Sequence, residues 1–573
     1  MEKRWSIKEK ANELAIVQLS QQLNNLDPFL CNLLLQRGID TFDKAKSFFR
    51  SSLEETHDPF LMKDMDKAVD RILTTIAANE KILIYGDYDV DGTTSVTLVY
   101  GFLSNFYTNL TYYIPDRYNE GYGISYIGID YAADNDISLV IALDCGIKAI
   151  EKIDYAKEKG VDFIICDHHL PGEKIPKAIA VLDPKRSDCE YPFKELSGCG
   201  VGYKLMEAIA VKKAIPTEEL HAKLDILAVS ICADIVPMVG ENRIFTHMGI
   251  KKLNTNPQPG FEAMLTIANN KKKELTVTDV VFSLAPRINA AGRIESGNKA
   301  VEVMLSLNAQ SAMEGGNHID GQNTDRKELD RSITEEALKM IEEDSMLKNQ
   351  KTTVLYNENW HKGVIGIVAS RCIESYYRPT IILTKSKDMA AGSARSVKGF
   401  SVYNAIEQCA DLLEQFGGHK YAAGMTLKIE NIPAFQQKFE KVVSESIPPE
   451  LLIPEVEIDC ELALSAINKK FFTVLKQFAP YGPQNMKPVF ATYNVKEKGQ
   501  ARIVGTNHLK LDIIDPQNPE KSYPAIGFNL GQHLNLIKSG EPFQIAYSIE
   551  ENEWRGNTTL QLNIKDIKSN LSE

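Results

Sequence analysis

The stretch that most constrains this chain is residues 81–94, where an apolar run is followed at once by a cluster of carboxylates. Residues 82–85 have the composition of a buried strand, and Gly86 ends that run. A helical pattern begins near Thr93, and the hydroxyl group of Thr93 or Thr94 is expected to cap it. The segment therefore predicts a strand, an acidic turn and a helix in immediate succession.

The acidic turn contains Asp87, Asp89 and Asp91 at alternate positions. Carboxylates so close together repel one another, and the cost of an unpaired anion rises as water is excluded. One interpretation is an acidic turn that is simply solvated. Because the turn follows a strand with the pattern of a buried one, the sequence favours the other interpretation, a site for a divalent metal ion.

Length, charge and cysteine usage limit the class of protein. A chain of 573 residues is too long for one core and fits roughly three or four domains of ordinary size. Its formal net charge of −12 argues against a protein that grips nucleic acid through general positive charge, although it allows an enzyme with a local basic groove. Nine cysteines without CxxC pairs indicate a reducing cytoplasm, and no apolar stretch is long enough to span a membrane.

Residues 66–250 alternate between apolar strand candidates and helical patterns. The predicted strands are residues 82–85, 112–114, 139–143, 163–166 and 179–182, with helices such as 95–106 and 147–158 between most of them. This order predicts an α/β fold with a parallel sheet, in which ligands sit beyond the carboxyl ends of the strands.

Most of these predicted strands end in an aspartate. The ends carry Asp87, Asp144, Asp167 followed by His168 and His169, and Asp183, while a predicted helix at 224–235 adds Asp234. A single terminal aspartate is a common turn residue, but aspartates on several parallel strands converge on one crevice. A mixed set of carboxylate and imidazole ligands suits manganese, with magnesium as the competitor and zinc disfavoured without cysteine.

Four short motifs, taken in order, resemble those of the DHH phosphoesterase superfamily. They are Asp87-Tyr-Asp-Val-Asp-Gly92, Asp144-Cys-Gly146, Asp167-His-His169 and Ala233-Asp234. Three further stretches, Pro184-Lys-Arg186, Tyr191-Pro-Phe193 and Gly198-Cys-Gly-Val-Gly202, resemble the RecJ branch of that superfamily. The resemblance covers the chain from about residue 66 onward and implies a single-strand-specific exonuclease with 5′ to 3′ polarity.

By this resemblance the metal ligands fall on Asp89, Asp91, Asp144, His168 and Asp234. Several relatives have a histidine at the position of Tyr85, so Asp87 is expected to take its place as a further ligand. His169 is expected to contact the scissile phosphate as a catalytic residue. Asp183 stands where relatives often carry asparagine and is expected to support the ligands without binding the metal. The family implies two manganese ions, with magnesium possible.

A second group of residues is implied to bind substrate. Arg117 and Tyr122 follow the second predicted strand, and Arg287 lies in a predicted arginine-bearing loop. Residues 351–447 resemble the DHH-associated domain that closes over the active site, and there the implied residues are Ser393, Arg395, Gly418 and the catalytic His419. The resemblance implies that these arginines and Ser393 hold a terminal 5′ phosphate, a role that suits arginine because a planar guanidinium clasps phosphate through paired hydrogen bonds.

The same domain is predicted to be a smaller α/β unit. Its expected strands are residues 354–356, 380–383 and 425–427, and its expected helices are 364–375 and 402–414. The glycines of the Gly-Gly-His segment at 417–419 are either simple turn residues or positions where backbone approaches a phosphate chain.

Residues 455–570 change to a β pattern, with predicted strands at 489–495, 509–514, 525–528, 543–549 and 559–564. Strands with this spacing predict an OB-fold barrel that binds nucleic acid. Phe478, Tyr481, Phe490 and Trp554 are expected either in a core or stacked on bases. A helical segment at 1–65 and a helical connector at 251–350, with a long exposed helix over 318–350, complete the predicted organisation.

The sequence thus predicts a two-metal phosphodiesterase that degrades single-stranded DNA to 5′ mononucleotides. The expected setting is DNA repair and recombination in the cytoplasm, with a helicase and a single-strand-binding protein as partners. Two alternatives stay open. One is a DHH hydrolase of short oligonucleotides or cyclic dinucleotides, against which the barrel argues. The other is a non-catalytic DNA-binding scaffold, which predicts missing metal ligands.

Overall fold

The structure, a computed structural model, describes residues 1–270, 272, 274–554 and 557–570, and the side chains at 554 and 557 lie outside that description. The chain forms two compact units. The parallel-sheet unit comprises Ser51–Glu335 and Pro480–Asn485, and the barrel-containing unit comprises Met1–Arg50, Glu336–Ala479 and Met486–Glu573. Among the residues described, no helix is both long enough and apolar enough to cross a membrane.

The strands are numbered in chain order. They are β1 Arg4–Ile7, β2 Lys81–Gly86, β3 Leu110–Tyr113, β4 Ile137–Leu143, β5 Asp162–Cys166, β6 Ala180–Leu182, β7 Thr353–Tyr356, β8 Thr380–Ser386, β9 Met389–Arg395, β10 Gln415–His419, β11 Ala422–Lys428, β12 Glu455–Ile458, β13 Cys460–Glu461, β14 Phe490–Glu497, β15 Arg502–Val504, β16 His508–Asp515, β17 Asn518–Gly527, β18 Phe543–Trp554 and β19 Asn557–Ser569.

The α-helices fall into two sets. Those of the parallel-sheet unit are Met65–Ala77, Val90–Leu103, Tyr126–Asp134, Ile150–Glu158, Gly198–Lys213, Thr217–His221, Leu224–Asp234, Gly240–Thr255, Pro259–Ile267, Val277–Asp279, Ala285–Ile294 and Gly297–Met304. Those of the barrel-containing unit are Glu13–Gln22, Pro28–Leu35, Phe42–Phe49, Ser345–Asn349, Ile365–Ser375, Val402–Glu407, Ile432–Ser446, Lys469–Lys476 and Leu534–Lys538. The helix Ala309–Glu343 carries the chain from one unit into the other.

The parallel sheet has the strand order β3-β2-β4-β5-β6, and every neighbouring pair is parallel. Its central strands are buried on both faces: Ile82 and Ile84 belong to one hydrophobic cluster, whereas Leu83 and Tyr85 belong to another. This explains why β2 reads as a continuous apolar run without alternation. The predicted parallel α/β fold is confirmed, and the carboxyl ends of its strands meet at one edge of the sheet.

The barrel-containing unit holds a mixed sheet of order β10-β11-β9-β8-β7. The predicted strands at 354–356, 380–383 and 425–427 correspond to β7, β8 and β11. Of the two interpretations of the Gly-Gly-His segment, the one as simple turn residues is wrong, because residues 417–419 lie in β10, where Gly417 and Gly418 pair with Gly424 and Ala423 of β11. Glycine lacks the apolar pattern that marks a strand, so neither β10 nor β9, which contains Gly392, was predicted as a strand.

A second sheet in this unit closes into a barrel. The order β14-β18-β19-β17-β16 is completed by a pairing of β14 with β16, which makes a closed five-stranded ring of OB type. The predicted OB fold is confirmed. Phe478 and Phe490 are fully buried, so the core interpretation holds for both, and the side chain of Trp554 lies outside the described residues.

Two predictions for the connector differ from the structure. The arginine-bearing segment expected as a loop is the helix Ala285–Ile294, since its proline occupies the second position, where no amide donor is needed. The helix expected to be exposed over 318–350 spans Ala309–Glu343 and buries a stripe of residues that includes Ile319, Ile333 and Ile341. Small and polar residues predominate in this helix, so its few buried apolar residues do not produce a recognisable hydrophobic pattern.

Candidate metal centre

The turn after β2 is organised by a helix cap. Asp89 is the N-cap of the helix Val90–Leu103, and its side chain accepts a hydrogen bond from the Gly92 amide at 3.0 Å. The prediction that Thr93 or Thr94 caps this helix is therefore wrong. Both threonine hydroxyls lie inside the helix and donate to its own carbonyls, because aspartate at the preceding turn already satisfies the first amides.

Asp91 lies in the first turn of this helix and is almost fully buried. Its Oδ2 accepts the Gly198 amide at 2.7 Å, and its Oδ1 accepts the Cys199 amide at 2.9 Å and the Ser230 hydroxyl at 2.6 Å. The two amides form the start of the helix Gly198–Lys213, where the helix dipole favours a negative charge. The carboxylate is thus held in one orientation.

His168 lies at the centre of a group of carboxylates. Its Nε2 is 3.2 Å from Asp144 Oδ1, 3.5 Å from Asp234 Oδ2 and 3.8 Å from Asp91 Oδ2. Two sets of side chains offer ligand atoms within 4.8 Å of one another, the first being Asp144, His168 and His169, the second Asp91, His168 and Asp234. The structure therefore brings together residues from β4, β5 and two helices that the sequence separates.

Several atoms of this group are buried without a hydrogen-bond partner among the described residues. They are Asp144 Oδ1, Asp234 Oδ2, Asp87 Oδ2 and both ring nitrogens of His168. Leaving one such atom buried and unpaired costs about 1–3 kcal/mol, more for a charged group. Carboxylate oxygens and imidazole nitrogens are the ligands of Mn²⁺ and similar cations, so the residues fit a divalent metal ion.

The pKa values of these side chains also fit a site for a divalent metal ion. Burial, reinforced by repulsion from Asp91, raises the pKa of Asp144 and of Asp234 well above the usual range of an aspartate. Burial also lowers the pKa of His168 to about 4, although the charge of Asp91 opposes this. His168 is therefore neutral at physiological pH and keeps the lone pair that a metal ligand needs. A bound cation would favour the charged form of both carboxylates.

His169 has a different environment. Its Nδ1 is 2.7 Å from Asp167 Oδ1 and its Nε2 is 3.3 Å from the hydroxyl of Tyr122. Burial alone would lower the pKa of His169, but the hydrogen bond and charge of Asp167 outweigh it and raise the pKa above its usual value. The same contacts hold the pKa of Asp167 at about 2 despite its burial. His169 is thus oriented by an ionised carboxylate.

Asp87, Asp183 and Tyr85 lie at the same sheet edge. Asp87 is fully buried, and its Oδ1 accepts the Gly123 amide at 3.3 Å. It belongs to neither ligand set described above, so its role as a ligand stays a prediction. Burial raises the pKa of Asp183 to about 7, and its Oδ1 accepts the Lys185 amide at 2.7 Å. Tyr85 donates its hydroxyl to the Gly123 carbonyl at 2.9 Å.

The arginines predicted in this unit differ in their contacts. The guanidinium of Arg117 lies over the ring of Tyr88, 4.0 Å from its centroid, and no carboxylate forms an ion pair with it among the described residues. Arg287 pairs with Asp320 at 2.8 Å and donates to the Ser283 carbonyl at 2.6 Å. Arg117 is therefore available for an anion, whereas Arg287 is engaged within its own unit.

The remaining predicted residues lie in the barrel-containing unit. Arg395 donates to Ser393 Oγ at 3.1 Å and to the Ala394 carbonyl at 2.8 Å, and no carboxylate pairs with it among the described residues. Arg395 and His419 both lie opposite Ala422 in the sheet register. Gly418 has a φ of +145°, and a Cβ there would lie 2.4 Å from the Ala422 carbonyl oxygen, so only glycine fits.

Sequence reasoning did not assign the roles of three residues that shape the site. Asp167 orients His169, Ser230 holds Asp91, and Gly198 supplies both an amide donor and room beside Asp144. The motif containing Gly198 was visible in the sequence. Its function was not, because only the fold places that helix start against the acidic turn.

Comparison with known proteins supports the assignment of each domain. Residues 81–231 match the DHH family, N-terminal domain, residues 349–445 match the DHHA1 domain, and residues 458–566 match the RecJ OB domain. The fold and the acid–histidine cluster together define a DHH phosphoesterase.

Comparison with individual relatives identifies the family within this class of phosphoesterases. The single-stranded-DNA-specific exonuclease RecJ of Bacillus subtilis is 35% identical over 567 residues, which are 98% of this chain and 70% of that protein. RecJ of Salmonella typhimurium is 32% identical, over 95% of this chain and 96% of its own length. The chain belongs to the RecJ family of single-stranded-DNA-specific exonucleases. The crystal structure of RecJ in complex with Mn²⁺ from Thermus thermophilus has the same fold, with a TM-score of 0.85, 24% identity, and 99% of this chain and 80% of that chain covered.

Proposed function

We propose that this protein is a metal-dependent exonuclease that degrades single-stranded DNA from the 5′ end and releases 5′ mononucleotides. The observation that carries the proposal is the convergence of unpaired carboxylate oxygens and imidazole nitrogens around His168 at the carboxyl edge of a parallel sheet. The relatives that match over nearly the whole chain are named single-stranded-DNA-specific exonucleases, which supports the substrate and the reaction type.

The ligands that would hold the metal are Asp89, Asp91, Asp144, His168 and Asp234, with Asp87 as a further candidate. Two Mn²⁺ ions are proposed, with Mg²⁺ as the alternative, because the donor set mixes carboxylates with imidazole. When loaded, such a site supplies Lewis-acid chemistry, which activates water and stabilises charge on the phosphate and the leaving oxygen. The protein contributes a buried site in which the ligands are already positioned.

His169 is proposed to bind the scissile phosphate. Asp167 fixes the Nδ1 side of its ring, so Nε2 is the atom directed toward Tyr122 and the crevice. Because the pKa of His169 is raised, Nε2 carries a proton over a wider pH range and can donate it as a hydrogen bond to a phosphate oxygen. In the barrel-containing unit, His419 is proposed to serve the same reaction.

A nuclease assay tests this function directly. The protein is incubated with Mn²⁺ and DNA labelled at either end, in single-stranded and duplex form. We expect labelled mononucleotides at once from the 5′-labelled single strand and only late from the 3′-labelled one. Equal attack on duplex, or early release of the 3′ label, would contradict the proposal. A parallel reaction with the matching RNA measures sugar preference.

Arg395, Ser393, Arg117 and Arg287 are proposed to recognise the terminal 5′ phosphate, and Tyr122 and Gly418 to contact the strand. The case is strongest for Arg395, a partly buried guanidinium without an acidic partner among the described residues. Burial lowers the pKa of Arg395, so the guanidinium gains from an added anion.

Replacing Arg395 with alanine should weaken the use of 5′-phosphorylated ends. Hydrogen bonds to a charged group contribute about 1.5–3 kcal/mol each, so KM for a 5′-phosphorylated strand should rise roughly tenfold to a hundredfold. KM for a 5′-hydroxyl strand should change little. Arg371→Ala, an exposed arginine of the same unit, is the matched control. An equal rise of KM for both ends would contradict phosphate recognition.

The barrel is proposed to guide longer single strands. Phe528 is an aromatic residue of this domain that is 53% exposed, and its ring centroid lies 5.2 Å from that of His508. Lys510 and Arg502 are paired on adjacent strands beside this ring pair and are both exposed. Stacking rings next to cations are typical of surfaces that bind single-stranded nucleic acid.

Phe528→Ala should therefore weaken binding of long strands. Stacking of one base contributes about 1–3 kcal/mol, so the dissociation constant for a long oligonucleotide should rise roughly tenfold. Fluorescence anisotropy in EDTA measures binding without cleavage. Phe42→Ala, which removes another exposed phenylalanine from the same unit, should have no effect. Unchanged affinity of Phe528→Ala would exclude this surface.

The proposed setting is DNA repair and recombination in the cytoplasm. An enzyme that consumes only single strands needs another protein to open duplex DNA, so a helicase and a single-strand-binding protein are the proposed partners. Addition of each partner to the nuclease assay on tailed duplex tests this, with faster release expected.

A further inference from the structure

Ser230 contacts the metal centre without being one of its proposed ligands. It lies in the helix Leu224–Asp234, one turn before Asp234, and is fully buried. Its hydroxyl oxygen is 2.6 Å from Asp91 Oδ1 and 2.8 Å from the hydroxyl oxygen of Ser197. Ser230 thus links two proposed ligands that come from different helices.

The direction of these hydrogen bonds follows from the donors present. An ionised carboxylate only accepts, so Ser230 donates its single proton to Asp91. Ser197 must then donate to Ser230, and Ser197 in turn accepts the Gly200 amide at 3.1 Å as the N-cap of its helix. The hydrogen bonds therefore all point the same way, from the Gly200 amide through Ser197 and Ser230 to the carboxylate of Asp91.

Three donors to Asp91 leave one lone-pair site of its carboxylate unused. Oδ1 receives both Cys199 and Ser230 and is saturated, because a carboxylate oxygen has about two lone-pair sites. Oδ2 receives only the Gly198 amide. Oδ2 is also the oxygen that lies 3.8 Å from His168 Nε2.

We propose that Ser230 is a positioning residue: by binding Asp91 Oδ1 it fixes the carboxylate so that Oδ2 faces the metal, and it sets the helix that carries Asp234 against Asp91. This inference rests on the proposed function, since it assumes that Asp91 and Asp234 hold a divalent ion. The hydroxyl acts through the ligands and touches neither metal nor substrate.

Calorimetric titration of the metal-free protein with Mn²⁺ tests the proposal without reference to cleavage. Loss of a hydrogen bond to a metal ligand typically weakens metal binding 10- to 100-fold, so Ser230→Ala should raise the Mn²⁺ dissociation constant by about that factor. The Mn²⁺ concentration needed for half-maximal cleavage should rise in parallel, with kcat largely restored at saturating Mn²⁺. Ser230→Cys, whose thiol is larger than the hydroxyl and a weaker donor, should also weaken Mn²⁺ binding.

Ser95→Ala is the matched control. Ser95 is a buried serine in the helix Val90–Leu103 whose hydroxyl forms no hydrogen bond with a proposed metal ligand among the described residues, so its loss should leave Mn²⁺ affinity unchanged. Wild-type Mn²⁺ affinity in both Ser230 variants would overturn the inference while leaving the nuclease activity intact. If the wild-type protein bound Mn²⁺ but cleaved no DNA, the proposed function would fail, and a Ser230 effect on affinity would still support the positioning role.

Discussion

Replacing His168 with alanine is expected to abolish cleavage of single-stranded DNA. The imidazole Nε2 lies within 4 Å of a carboxylate oxygen of each of Asp91, Asp144 and Asp234, so its loss opens the centre of the site. Lewis-acid stabilisation contributes several kcal/mol to such a reaction, which corresponds to a rate loss of about a thousandfold or more. Single-turnover cleavage with saturating Mn²⁺ measures it.

Folding should survive this change, which makes the result interpretable. Neither ring nitrogen of His168 has a hydrogen-bond partner among the described residues, so alanine leaves no donor behind and relieves the burial of a polar ring. His247→Ala, at an exposed position in the same unit, should retain wild-type turnover. Calorimetric titration of the His168→Ala variant should show a lower affinity for Mn²⁺ or a smaller number of bound ions. Wild-type turnover by that variant would remove His168 from the ligand set.

The parallel sheet was predictable because its signal is local. Each central strand is apolar on both faces, and each is followed by a polar turn, so the strands and their carboxyl ends can be found without knowing the fold. The aspartates at those ends then converge by topology alone. The predicted strand at 139–143, for example, lies within β4, Ile137–Leu143, and Asp144 follows directly.

Contacts between distant segments were beyond the sequence. Asp91 is held by residues 107 to 139 positions away, and nothing in the local pattern around Gly198 or Ser230 indicates that partner. The strands β9 and β10 were not predicted for a related reason. Their small side chains carry no strand pattern, and it is pairing with the neighbouring strand β11 that holds them in extended conformation. Local sequence indicates which residues carry chemistry, and tertiary packing decides how each is oriented.

The aromatic residues illustrate the same limit. Phe478 and Phe528 are the same residue type and both lie near turns, yet the first is fully buried and the second is half exposed. Composition cannot distinguish a core ring from a stacking ring. Tertiary packing decides it, because the ring of Phe478 contacts those of Phe48 and Phe49, whereas Phe528 directly follows β17 and its ring contacts that of His508.

A second large effect is expected from Gly198→Ala, which adds one methyl group beside the metal centre. A Cβ at this position would lie 2.6 Å from Asp144 Cβ and 2.7 Å from Asp144 Oδ1. Asp144 cannot easily move away, since its backbone has a φ of +58° and its amide is bonded to the Cys166 carbonyl at 2.8 Å. The clash should displace the carboxylate and lower kcat by about a hundredfold or more, because catalytic geometry tolerates little misplacement.

Gly200→Ala provides a control within the same helical turn. The three atoms nearest to its added Cβ would be two of Leu196 at 3.3 Å and the Ser197 hydroxyl oxygen at 3.5 Å, none of them closer than a tight van der Waals contact. Both substitutions replace a glycine with alanine in the first turn of the same helix, so a difference between them reports mainly the contact with Asp144. Thermal unfolding without metal should show Gly198→Ala less stable than Gly200→Ala by about 1–3 kcal/mol, and calorimetry should show weaker Mn²⁺ binding. Equal stability, metal affinity and turnover in the two variants would mean that Asp144 is not fixed by this helix start, and that the site tolerates a shift of its central carboxylate.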